Sequence, residues 1–488
     1  MKSFSKGYIL IQALVFGSIS VVILGGLVSW AGVNIKASRL SVLREQALQI
    51  AEAGVDYYRW HLAHAPNDFT DGTGNPGPYV HPFYDKDGNQ IGNFTLSILP
   101  PQSGFTLVTV TSSSTLIEDP SISRAVKVKL AIPSFAKYAV VANDNMRFGE
   151  GTEVFGPIHS NGGIRFDGLA HNLISSSRAS YDDPDHTGAV EFGVHTHLNI
   201  PPATGINSSF RPLEAPPSAV MNRTDVFEVG RAFPVPSVDF VGITSDLSSM
   251  KTKAQTSGHY YSGSGGLGYH IVLKTNDTYD LYRVNQMATA SNACVNNSDI
   301  GQSGWGVWSI RSGGAGQTLL GNYTFPSDGI IFLEDHVWVD GQINTARLTI
   351  SSGRFPDSPT TRTNITVNND LLYTSYDGSD VIALIAQGNI NTGMVSEDDL
   401  RIDAALIAQN GRVGRYYYAQ QCNPHNTRDT ITLYGMIGSN IRYGFAYTDG
   451  TGYQNRNIIY DANLLYGPPP SFPLTSDQYQ IISWEEVR

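Results

Sequence analysis

At 488 residues the chain exceeds what one hydrophobic core usually organises, and its 15% charged content with abundant Gly (49), Pro (25), Tyr (25) and Phe (20) favours strands and turns over helical bundles. The formal net charge is −11 and the basic residues are scattered, so the long-range field repels phosphate and no nucleic acid partner is expected. Cys294 and Cys422 lie outside any CxxC or Cys/His spacing, which excludes a zinc site built on them; they could form one disulfide or remain two buried thiols.

Residues 8–33, YILIQALVFGSISVVILGGLVSWAGV, carry no charge and match the ~20 apolar residues that cross a bilayer as a helix. Three readings compete: a retained anchor, a buried core helix, and a cleaved signal peptide with Lys2 and Lys6 as its basic start and Ser29-Trp30-Ala31 as a small-x-small site. The residues after Val33 favour the anchor. No proline occurs before Pro66, and Leu40, Leu43, Ala47, Ile50, Gly54, Tyr58 and Leu62 recur at spacings of three or four. One continuous helix over residues 8–65 is expected, apolar all round in its first half and amphipathic in its second. The flanking charges, Lys2 and Lys6 against Lys36, Arg39 and Arg44, leave orientation ambiguous.

The leader MKSFSKG (residues 1–7) followed by YILIQALVFG resembles the processing site of type IV pilins and pseudopilins, and QIAEAGV (residues 49–55) is similar to the AEAG segment of PilX-like minor pilins. The resemblance covers roughly the first 65 residues. It implies cleavage by a prepilin peptidase between Gly7 and Tyr8, N-methylation of Tyr8, and partners among other pilin subunits and the pilus assembly machinery. It also implies a single-pass protein of the cytoplasmic membrane whose large domain is extracytoplasmic and then displayed on a pilus or cell surface. The sequence departs from the family at Gln12, the fifth mature position, where pilins usually carry Glu.

PNDFTDGTGNPGPYVHP (residues 66–82) reads as the loop that leaves the helix. Strands are expected over 91–99, 105–111 and 122–132, giving with residues 66–137 a small pilin-like sheet on the helix's apolar stripe. Asp85-Lys86-Asp87-Gly88-Asn89 opens like a calcium loop but lacks its later ligands, so a β-turn is expected.

From about residue 138, short β runs alternate with Gly/Asn/Asp turns, and Ile158-His-Ser-Asn, Ile385-Ala-Gln-Gly, Ile407-Ala-Gln-Asn and Ile437-Gly-Ser-Asn echo one another. The expected class is mainly β: a large parallel β-helix over 138–488, with a β-sandwich as the alternative and a loop-rich insertion around 170–302. The last stretch, through Ile482-Ser-Trp484-Glu-Glu, also resembles the ends of large PilX-like proteins. Trp484 is expected to cap the open end of the solenoid.

Parallel β-helices include pectin-degrading enzymes, which makes Asp398 and Asp399 near Asp403, and Glu334 and Asp335 near Asp340, worth weighing as paired acids. The Gly-His-Gly and Arg-x-Lys elements of polygalacturonases are absent, so these read as turn carboxylates. His195 and His197 in VHTHL fall on one side of a strand with Asp182, Asp183, Asp185 and His186 upstream, a conceivable metal set, while His159 reads as a solenoid corner. No GxSxG, Walker or HExxH element occurs, and no GxGxxG sits in a βαβ unit. The expectation is therefore no catalytic residue, no cofactor and no metal. A minor pilin-like subunit displaying a binding domain leads, ahead of a surface adhesin unrelated to pili and a secreted carbohydrate-active enzyme.

Overall fold

The computed structural model describes residues 7–101, 105–201, 205–240, 242–291, 293–296, 301–474 and 478–487. It is mainly β with one long N-terminal helix, and it divides into two compact units, Met1–Pro101 with Leu107–Ala131 and Asp477–Arg488, and Gln102–Thr106 with Ile132–Ser476.

In the first unit, helix α1 runs unbroken from Gly7 to His64. Its apolar first half is exposed throughout, with a mean hydropathy of 2.2 over its most apolar window, long enough and apolar enough to cross a membrane. Its second half buries Leu43, Ala47, Ile50, Ala51, Val55, Tyr58 and Leu62 against Phe94, Leu96, Val108, Val110, Val126 and Val128 of an antiparallel sheet. The helix stops ahead of Pro66, where the Asp68 carboxylate accepts the amides of Thr70 and Gly72 and turns the chain.

The sheet contains β1 (Tyr79–Tyr84), β2 (Gln90–Leu99), β3 (Val108–Leu116) and β4 (Ala125–Ala131) in that order. β1 begins in the last residues of the expected exit loop and runs past it; it tolerates Pro82 because it is an edge strand. Residues 85–89 form the β1–β2 turn, closed by the Asp85 amide on the Asn89 carbonyl. The fifth strand is Gln480–Val487, antiparallel to β4. Trp484 therefore pairs with Val128 in this sheet and does not cap the coil, because an unpaired β4 edge offers it a full ladder of backbone bonds.

The second unit is a stack of coils joined by parallel ladders, the pairing of a parallel β-helix. Ile331, Ile350, Leu384, Leu406, Ile437, Val140, Ile158 and Ile174 follow one another in register along one face. Leu371, Ile402, Leu433, Ile458, Val154 and Ala170 do the same along a second. All lie in one core. The chain joins this stack in its middle: Val140–Ala142 sits between Thr427–Ser439 and Ile158–Ser160, so coils early and late in sequence are neighbours.

Ile385 and Ile407 stack on each other, but Ile437 and Ile158 align with Leu406, one position away. A one-residue slip reverses the face. Ile385 and Ile407 accordingly point out of the coil into a second core, covered by Leu247, Met250 and Ala254 of helix α2 (Gly242–Thr256), and by Leu464 and Phe472. Burial on both sides explains why Val381–Ala386 is apolar without alternation. At one corner Asn161 donates to Asn143 and Asn143 to Asn440, at 2.8 and 3.0 Å, a side-chain ladder that follows the coils.

Candidate metal centre

The third face of the coil ends in three short parallel strands, Met146–Phe148, Ile164–Phe166 and Val194–His195. Met146, Ile164 and Val194 enter the core, so their neighbours Arg147, Arg165 and His195 project to the other side. Over that outer side fold residues 177–201 and 205–211. The ring of Tyr181 lies on Gly163, where a Cβ would sit inside the ring's van der Waals envelope, so the loop closes down only because that residue is glycine.

The closure gathers Asp183, His186, Glu191, His195 and His197 so that one donor atom of each lies within 4.8 Å of all the others. The Nε2 atoms of His186, His195 and His197 stand 2.9, 2.7 and 3.0 Å from a single atom, Glu191 Oε2. Asp183 Oδ2 is 3.4 Å from His195 Nε2 and 3.7 Å from His186 Nε2. All five side chains are at most 4% exposed.

The surroundings aim these atoms inward. The other oxygen of each carboxylate is engaged by backbone, Glu191 Oε1 by the Arg211 amide at 2.9 Å and Asp183 Oδ1 by the Asp185 amide at 3.0 Å. His197 Nδ1 lies 2.7 Å from the Asn207 carbonyl, which can only accept, so Nδ1 carries a proton and the ring is held with Nε2 toward Glu191. Burial opposes charge on both carboxyls, but the close His195 ring outweighs it and holds Asp183 down at about 2 and Glu191 below its ordinary value. Burial likewise opposes charge on His195, and the same two carboxylates raise it. Arg165, fully buried, donates from Nε to Asp167 at 2.7 Å and brings Nη1 to 3.9 Å from Asp183.

Asp185 stays outside the cluster, bound by both Nη atoms of Arg442 on the wall of an open groove of about 1160 Å³, and Asp182 is exposed. Glu191 escaped sequence reasoning because it lies in the stretch around 170–302 that reads as a loop-rich insertion; its spacing to His195 and His197 was the available signal.

The other residues that the sequence brings forward are spread widely. Asp403 is buried and saturated by Arg401 Nε, the Tyr373 amide and the Tyr376 hydroxyl, while Asp398 pairs with Arg428 and Asp399 is exposed. Glu334 pairs with Lys251 and Tyr260, Asp335 with Arg354, and Asp340 with His270. His159 lies in a coil strand against Ser175 and Asn161. Cys294 and Cys422 are bonded to each other, in a cluster with Met394, Tyr416 and Tyr418. Gly7 is the first residue of α1, and Tyr8 and Gln12 are exposed on it.

No family model and no curated protein matches the chain. Among solved structures the chain is similar to the competence-associated pilin ComZ from Thermus thermophilus, at 14% identity and a TM-score of 0.32, over 91% of this chain and 97% of that one. A likeness of that degree carries no functional argument, which leaves the chain's own residues to supply one.

Proposed function

We propose that the chain is a low-copy, pilin-like subunit of a type IV pilus or related secretion filament, anchored by α1 and displaying the coil domain outside the cytoplasm in a binding role without catalysis. The observation that carries this is the division of α1 into an exposed, charge-free half and a half packed on an antiparallel sheet. A soluble core helix would bury the first half.

On this reading a prepilin peptidase cuts after Gly7, and Tyr8 presents a charged amine within an apolar filament core. Glu at the fifth mature position would neutralise it. Gln12 can accept a hydrogen bond but brings no opposite charge, so every repeated subunit would leave a cation poorly paired. Long homopolymers are disfavoured for that reason, and a domain as large as residues 132–476 crowds its neighbours along a shaft. A tip or initiating position removes both difficulties.

The test is to label the protein on isolated filaments. Label confined to ends supports the proposal; label along the whole shaft at the stoichiometry of the major subunit overturns it.

A further inference from the structure

We propose that Asp183, His186, Glu191, His195 and His197 bind one divalent first-row transition ion of the Zn²⁺ class, which staples the chain around residues 177–201 to the outer side of the coil. The inference is independent of the filament reading and replaces the expectation of a metal-free chain.

Three features of the geometry point to a cation. The first is the direction of the donor atoms. The contact of His197 Nδ1 with the Asn207 carbonyl fixes the ring so that Nε2 faces Glu191 Oε2 at 3.0 Å, and the Nε2 atoms of His186 and His195 face the same oxygen. With Asp183 they make five possible ligand atoms within 4.8 Å of one another.

The second is valence. Three imidazole nitrogens converge on one carboxylate oxygen, which has about two lone pairs to offer. His195, fully buried, shows the consequence: neither of its nitrogens makes an aligned hydrogen bond, and Asp183 Oδ2 beside it is also without one. A buried polar group left in this state is costly.

The third is charge. Two carboxylates and three imidazoles converge in a closed site, and the nearby guanidinium of Arg165 donates to Asp167. A divalent ion matches the charge of the two carboxylates.

The donor set selects the ion. Three imidazoles and two carboxylate oxygens suit Zn²⁺ and its first-row neighbours, whereas Ca²⁺ and Mg²⁺ take oxygen sets. Metal–ligand bonds of about 2.1 Å place opposite donors at most roughly 4.2 Å apart. A set lying within 4.8 Å thus needs to close by only about half an ångström around the ion. Five protein donors exceed the four that a structural Zn²⁺ site uses, the pattern of a closed structural centre rather than a three-ligand catalytic one. Its natural role is to hold a segment whose paired strands, among the described residues, are Ser180–Tyr181, Glu191–Phe192 and Val194–His195.

The test uses the full chain in detergent. After incubation with Zn²⁺ and desalting, elemental analysis should find one ion per chain, whereas His195→Ala and Glu191→Gln should each lower occupancy at least tenfold. Because either variant could misfold, the wild type is also stripped with a chelator. Stripping should expose residues 177–201 to protease, and Zn²⁺, but not Mg²⁺ or Ca²⁺, should restore protection. Co²⁺ in place of Zn²⁺ should give a visible ligand-field spectrum that the His195→Ala protein lacks. Folded wild-type chain that retains no transition metal, or metal retained undiminished by a folded His195→Ala protein, would overturn the proposal.

Discussion

At Gly54 the backbone of α1 approaches the sheet so closely that a methyl group would meet the Phe94 ring at 2.8 Å and the Ser112 hydroxyl closer still. The AEAG segment thus has a direct physical meaning, a small residue where helix and sheet touch. Gly54→Val should destabilise the first unit by about 1–3 kcal/mol, the usual cost of overpacking. The check is amide exchange of β2 and β3 in the full chain, and unchanged protection there would show that the contact is not tight. Residues of this kind were legible one at a time, because spacing along a helix reports which face is buried. The metal-ligand set was only half legible. His195 and His197 share a strand side by simple alternation, but Glu191 joins them only once the loop folds back over Arg165, a tertiary event with no local period.

Among the elements, the C-terminal strand Gln480–Val487 separates local from distant information most clearly. It pairs with β4, adding ion pairs from Arg124 to Glu486 and from Lys127 to Glu485. Its partner is hundreds of residues earlier, and nothing in QIISWEEV names it. The repeated Ile-led segments behaved similarly: the repetition correctly indicated stacked coils, yet the register of two of them differs by one, because α2 makes both sides of those strands apolar and removes the alternation that fixes a face. α2 itself is rich in Ser and Thr, and among its described side chains Leu247, Met250 and Ala254 form the apolar stripe between turn-like segments. Deleting residues 478–488 should speed amide exchange in β4 by about tenfold or more while leaving the coil strands Val381–Ala386 and Asp399–Ala408 protected. Equal loss in both places would mean that the strand supports the coil after all.

For the whole molecule, the decisive contrast lies within α1. Burial accounts for every apolar side chain on the stripe from Leu43 to Leu62, and for none from Tyr8 to Val33. An exposed apolar segment of that length is stable only in hydrocarbon or among other apolar helices, and a filament subunit meets both surroundings in turn. The junction before Tyr8 then decides between a pilin-like subunit, a secreted protein and a plain membrane anchor. The direct measurement is the N-terminus of the mature chain, by sequencing and intact mass after expression with a prepilin peptidase. The account predicts N-methylated Tyr8 as the first residue, with the precursor accumulating when Gly7 is replaced by a bulky residue; a first residue of Gly32, or an uncleaved Met1, would contradict it.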